Sequence, residues 1–282
     1  MRFEKRNFKK IGFAGIALFA LIGLGTVSLV LAQGRGFLQQ APDSRVQMRS
    51  YRFEDTKEKM QYALFVSSKV KKKNKNPLIM VLHGWGAGPA AFLRGNMLSL
   101  AQEDGYLLVG PMGYSPQAAF GAPVSAGRGA RGGQMAPGAS DNDALSEQDA
   151  LNVLEMVRKE YTIDESRMYL LGISTGGAGA FHLGVKYASN WAAIAAIAPA
   201  DFFMQPSIFA PVKDTMPVII VQGDSDTVVP VANTRRWIAE MKQMDMTYKY
   251  LEVKGGDHGN VLATAMPHIF EFFKEHPKPA SQ

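Results

Sequence analysis

No cysteine occurs among the 282 residues. That excludes a disulfide framework, a thiol nucleophile, a lipidated cysteine and a cysteine-ligated metal site. Excess charge is also scarce once the first 32 residues are set aside. The formal net charge is +6, but Arg2, Lys5, Arg6, Lys9 and Lys10 against Glu4 supply most of it. The remaining 26 basic and 24 acidic residues leave +2, too nearly neutral for a nucleic-acid partner. One basic run, Lys69 to Lys75, lies between two strand-like segments and reads as a solvated turn. No internal repeat is visible. Hydrophobic residues make up 46% and charged residues 20%, an ordinary globular balance.

Long apolar runs are confined to one place. After the basic start, Ile11 to Ala32 run 22 residues without a charge and end in a small residue. Basic, apolar, then small is the pattern of an export signal. The run is also long enough to cross a bilayer as a helix, so a cleaved signal peptide and an N-terminal membrane anchor both satisfy it. Either way residues 33–282 are expected outside the cytoplasmic membrane, secreted or periplasmic. Residues 33–45 read as a linker, 46–276 as one catalytic-sized domain, and 277–282 as a tail.

Within that domain, Val46–Phe53 and Met60–Val66 read as two early strands. Leu78–Leu82, Tyr106–Val109, Met168–Leu171, Trp191–Ala198, Val218–Val221 and Tyr248–Val253 are short apolar runs suited to buried strands. Helical spacing separates them at Pro89–Gln102, Asp143–Glu160, Thr175–Tyr187, Val231–Met244 and Val261–Lys274. Alternation of this kind predicts an α/β fold with a mostly parallel central sheet and helices on both faces. Gly110 to Ser140, with eight glycines and four prolines, reads as a long loop. The acidic residues Asp141, Asp143, Glu147 and Asp149 lack the glycine of a calcium loop. They read as acidic groups at a helix start, and neither metal nor cofactor is expected.

Gly172-Ile173-Ser174-Thr175-Gly176 matches G-x-S-x-G. It stands where a buried strand meets a small-residue helix, the setting of a nucleophile elbow. A serine hydroxyl needs a base at neutral pH. Of five histidines, His258 follows the last strand, where a base reaches over the sheet edge. The base needs a carboxylate to fix its tautomer, and Asp224 and Asp226 both follow the preceding strand. Ser174, Asp226, His258 is the α/β-hydrolase order of nucleophile, acid and base. Two oxyanion donors are expected from the backbone of Thr175 and of Trp85, the latter flanked by Gly84 and Gly86.

Pro77–Gly88, Tyr161–Pro199 and Gln222–Pro230 together resemble the α/β-hydrolase esterases that include feruloyl esterases, acetyl xylan esterases and polyhydroxybutyrate depolymerases. Tyr161 to Gly177, Tyr-x-Ile-Asp-x-x-Arg-x-Tyr-Leu-x-Gly-x-Ser-x-Gly-Gly, is the most specific piece. The resemblance implies cofactor-free ester hydrolysis on Ser174, Asp226 and His258. Its Gly-x-x-Asp-x-x-Val-Pro pattern at Gly223–Pro230 places the acid at Asp226 rather than Asp224.

A peptidase or acyltransferase with the same triad, and a non-catalytic binding protein on the same fold, remain as alternatives. A complete set of nucleophile, base, acid and Gly-rich loop favours an enzyme. Pro199 to Met216, the usual place for a lid, has only 18 residues. No large lid domain fits, and an open site suits a bulky or polymeric ester. Tyr114, Phe120, Arg128 and Arg131 are the large aromatic or cationic groups of the Gly-rich loop. They are expected to contact substrate.

Overall fold

A computed structural model describes residues 41–117, 119–123, 139–200 and 204–279, with the side chains of 139–142 excepted. The segment 1–32 expected to be a signal peptide or anchor, most of the expected linker and the last three residues lie outside the described residues. Among the described residues no helix is long and apolar enough to cross a membrane. The run Ile11–Ala32 is not among them.

Eight strands form one sheet: β1 (Gln47–Arg52), β2 (Lys59–Val66), β3 (Asn76–Leu82), β4 (Leu107–Pro111), β5 (Ile163–Ile173), β6 (Ala193–Ile197), β7 (Val218–Gly223) and β8 (Tyr248–Val253). Their order is β1-β2-β4-β3-β5-β6-β7-β8. β1 and β2 pair antiparallel, and β2 is antiparallel to β4. Every other pairing, from β4–β3 to β7–β8, is parallel. Among the described residues five helices cover the sheet: α1 (Gly95–Asp104), α2 (Ala139–Glu160), α3 (Thr175–Lys186), α4 (Val231–Gln243) and α5 (Val261–Glu275). This is the α/β-hydrolase fold. Between β6 and β7 the described residues hold only a 3-10 turn, Pro206–Val212, and no lid domain.

Period-two alternation divides the core. Leu78, Met80 and Leu82 of β3 join one cluster with Val153 of α2, Phe181 of α3 and Trp237 of α4. Ile79 and Val81 join the other, with Leu98 of α1 and Phe270 and Phe273 of α5. The middle strands are buried on both faces, so their sequences are apolar throughout rather than alternating.

Three element starts differ from the sequence expectation by more than two residues. α2 begins at Ala139 rather than Asp143. α1 begins at Gly95 rather than Pro89, because Gly95 has φ +56° and no right-handed helix continues through it. β5 begins five residues before Met168. Asp164, Glu165 and Arg167 interrupt its apolar pattern where the strand leaves the buried middle of the sheet.

Candidate active site

Four candidate elements sit at carboxyl ends of parallel strands, where α/β sheets bind ligands. β5 delivers Ser174, β7 delivers Asp226, β8 delivers His258 and β3 delivers His83 to Gly86.

Ser174 has φ +56° and ψ −120°, a conformation that side chains rarely adopt. It is held there on both sides. Its N–H donates to Ile197 O (2.9 Å), and its carbonyl accepts from Gly177 N (2.8 Å) and Ala200 N (2.9 Å). The neighbouring glycines are demanded by space. A Cβ on Gly172 would lie 2.0 Å from Gly176 O, and one on Gly176 would lie 2.2 Å from Leu82 O. The flanking residues are buried while Ser174 keeps partial access.

The acid and base loops are packed backbone to backbone: a Cβ on Gly223 would meet Gly256 O at 2.1 Å. Across this contact His258 Nδ1 lies 2.7 Å from Asp226 Oδ2. The Asp226 side chain is fully buried. Oδ1 accepts from Val228 N and Val229 N, each at 2.8 Å, and Oδ2 also accepts from Gln222 Nε2 at 3.0 Å. Burial works to raise the Asp226 pKa. The hydrogen bond and charge of His258 and the two amides outweigh it and hold the carboxyl below the ordinary carboxylate value. Asp224 turns elsewhere, accepting from Gly255 N at 2.7 Å and Ser225 Oγ at 2.9 Å.

The loop after β3 passes directly beside the serine. A Cβ on Gly84 would lie 3.1 Å from Ser174 Cβ and 3.8 Å from Ser174 Oγ. Ala87 N donates to Gly84 O (3.1 Å), closing a turn whose third residue, Gly86, has φ +76°. Glycine there fits a type II turn. Trp85, second in the turn, is 54% exposed. Thr175 is the first residue of α3, so its N–H has no intrahelical acceptor.

The other histidines are engaged elsewhere. His182 Nε2 lies 2.6 Å from Glu147, whose carboxylate also binds Lys186 and Tyr187. His276 Nδ1 meets Phe272 O at 2.8 Å, and His268 lies within α5. His83 is buried, with ring nitrogens 2.9 Å from Gly84 O and Met112 O. Burial lowers its pKa against the pull of both carbonyls, favouring the neutral ring.

Among the loop residues expected at the substrate, Phe120 requires correction. It is fully buried, 5.3 Å from the His83 ring, and fills the space beside Gly179. An aromatic ring in a Gly-rich segment has gone into the core, where its burial is worth about 1.5–3 kcal/mol. Tyr114 donates from its hydroxyl to Glu58 (2.7 Å) and packs on Phe53 at 5.6 Å. Arg128 and Arg131 lie outside the described residues. Asp149 of α2 is a buried carboxylate.

Residues 134–270 match the model of a family described as PET hydrolase-like. A bifunctional acetylxylan esterase/xylanase of Neocallimastix patriciarum is 28% identical over 158 residues, 55% of this chain. The chain spans only 20% of that relative's length. A solved thermostable esterase is 23% identical with a TM-score of 0.62, covering 83% of this chain and 64% of its own. A ferulic acid esterase of Anaeromyces mucronatus is 16% identical with a TM-score of 0.64, covering 84% and 91%.

Proposed function

We infer, from the site geometry and the chain's similarity to esterases of the α/β-hydrolase fold, that it hydrolyses carboxylic esters through an acyl-enzyme on Ser174. The observation that carries this is the 2.7 Å contact of His258 Nδ1 with a buried, fully hydrogen-bonded Asp226. A carboxylate so placed keeps the imidazole proton on Nδ1 and leaves Nε2 to accept one. Ser174 Oγ attacks the ester carbonyl as His258 takes its proton. The amides of Trp85 and Thr175 receive the developing oxyanion. His258 then protonates the departing alcohol, and water repeats the sequence to release the acid.

The substrate has a bulky, aryl or polymeric part. Trp85 and Val228 are 54% and 49% exposed, one beside the nucleophile and one two residues after the acid. Large apolar side chains left in water at a site mark a surface for an apolar partner. The related proteins named as acetylxylan, ferulic acid and PET hydrolase-like esterases point the same way. A panel of chromogenic acyl and aryl esters tests this. Turnover on none of them would remove the esterase assignment. On the active esters, Trp85→Ala should raise KM for an aryl ester about 2–12-fold, the worth of one aromatic contact at 0.5–1.5 kcal/mol. KM for a small acetate should hardly move. Equal changes on both would deny Trp85 any part in selection.

Export is a further expectation, resting on the basic start and the Ile11–Ala32 run. Fractionation of the native host should place the activity outside the cytoplasmic membrane, and N-terminal sequencing should separate a cleaved signal from an anchor. Cytoplasmic protein with an intact Met1 would rule out both.

A further inference from the structure

The serine mechanism leaves one buried carboxylate unused. Asp149 lies on α2, one turn after Ser146, and both side chains are buried. Ser146 Oγ accepts from Phe120 N at 3.0 Å. Asp149 Oδ1 accepts from the hydroxyl of Tyr51, on β1, at 2.5 Å, and Oδ2 accepts from Gly113 N at 2.6 Å. The amides of Met112 and Tyr114 also favour the carboxylate. Burial pushes the Asp149 carboxyl up against these bonds. A carboxylate kept in such a place needs all its partners.

What Asp149 holds is the turn after β4. Gly113 and Tyr114 both have φ +66°. For tyrosine that conformation persists only where the surroundings fix it. The same turn makes two contacts to the oxyanion loop. The His83 ring lies between Gly84 O and Met112 O, with its single N–H donated to one of them, and Gly86 N donates to Pro116 O at 2.7 Å. Gly84 in turn lies against Ser174. The chain of contacts therefore runs from Tyr51 and Asp149, through Met112–Pro116, to the turn that carries the Trp85 amide.

We propose that Asp149 is a positioning residue for the oxyanion hole: its carboxylate fixes the Met112–Pro116 turn from behind, and that turn fixes Gly84–Gly86 beside Ser174. The proposal rests on the serine-esterase assignment. An oxyanion donor acts on the transition state and little on bound substrate, so its displacement lowers kcat rather than raising KM. A misplacement of about 1 Å costs up to about 100-fold.

The test is steady-state hydrolysis of an aryl ester by the full-length protein, with active sites counted by a fluorophosphonate probe. Asp149→Leu should lower kcat per active site about 10–100-fold, with KM within about twofold of wild type. Asp149→Asn should recover most of kcat, since its carboxamide oxygen still accepts from Gly113 N–H and its NH2 donates to the Tyr51 hydroxyl. Tyr51→Phe removes one tether and should lower kcat a few-fold, about the worth of one hydrogen bond. Wild-type kcat per active site in Asp149→Leu overturns the proposal. If that variant does not fold, unchanged kcat in Tyr51→Phe overturns it equally, and so does a loss confined to KM. A Ser174→Ala variant separates the two levels. Retained turnover there removes the serine assignment, whereas an inactive Ser174→Ala beside an unaffected Asp149→Leu removes only the role of Asp149.

Discussion

Ser174→Ala is expected to lose about 10⁶-fold in kcat, the scale seen when a hydrolase nucleophile is removed, while its thermal transition stays nearly unchanged. Both halves follow from the local geometry. The Ser174 side chain makes no capping bond to α3, so alanine deletes the nucleophile without removing a bond from the fold. The backbone bonds of residue 174 to Ile197, Gly177 and Ala200 are independent of the side chain. A second variant separates strain from chemistry. Ser174→Gly should be just as inactive but more stable than Ser174→Ala by about 1–3 kcal/mol, because it relieves the positive φ. Steady-state kinetics and thermal melts of the three proteins check this. A fluorophosphonate probe should label wild type at residue 174 and neither variant. Wild-type turnover in Ser174→Ala would end the assignment, and a glycine variant no more stable than alanine would mean that the elbow stores no strain.

Much of this elbow is legible in the sequence because sterics leave few alternatives. Gly172 and Gly176 are required by backbone oxygens 2.0–2.2 Å from where a Cβ would stand, so the motif reports its own geometry. The middle strands are equally plain. Leu78–Leu82 and Val218–Val221 are apolar throughout because helices cover both sides of the sheet. What escapes notice depends on contacts distant in the chain. The polar stretch of β5, Asp164–Arg167, shows no apolar pattern because its side chains are only partly covered. Phe120 gives no local sign that His83 and Gly179 will enclose it.

Asp149 is a more instructive case, since a signal was present. Asp149, Val153 and Val157 recur every four residues and share one helix face, and Val153 and Val157 are core residues. A carboxylate on an apolar stripe needs a buried partner. Reading the acidic residues of this region together as acidic groups at a helix start hides it. The separation appears only with the fold. Glu147 turns to His182, Lys186 and Tyr187, and Asp149 to Tyr51 and Gly113.

Asp226→Asn should lower kcat/KM by about 10⁴, the loss seen when the corresponding serine-protease aspartate is changed, and the hydrogen bonds say why. Oδ1 of Asp226 accepts from two backbone amides, Val228 N and Val229 N. In the variant that position must keep the carboxamide oxygen, since an NH2 there would face two donors. The NH2 is then forced onto the Oδ2 side, toward His258 Nδ1 and Gln222 Nε2. An NH2 donating to Nδ1 moves the imidazole proton to Nε2, where the ring can no longer take the proton of Ser174. Gln222 cannot relieve its own conflict by rotating its amide. Its oxygen accepts from Thr234 Oγ1 at 3.0 Å, and its nitrogen donates to Val229 O at 3.1 Å. Asp224→Asn meets no such conflict. Its carboxamide oxygen can keep the Gly255 bond, so the expected loss is about that of one weakened hydrogen bond, within roughly tenfold. Stability against pH adds a separate check. The Asp226 carboxyl of the folded protein titrates below the ordinary carboxylate value, so this group contributes stability above the unfolded pKa. That contribution is lost as pH falls through the lower folded value. Asp226→Asn should therefore weaken the decline of stability on the acid side. Kinetics at neutral pH and denaturation from neutral to acid pH for both variants read the two effects independently. A larger loss of turnover in Asp224→Asn than in Asp226→Asn would reverse the assignment of the acid.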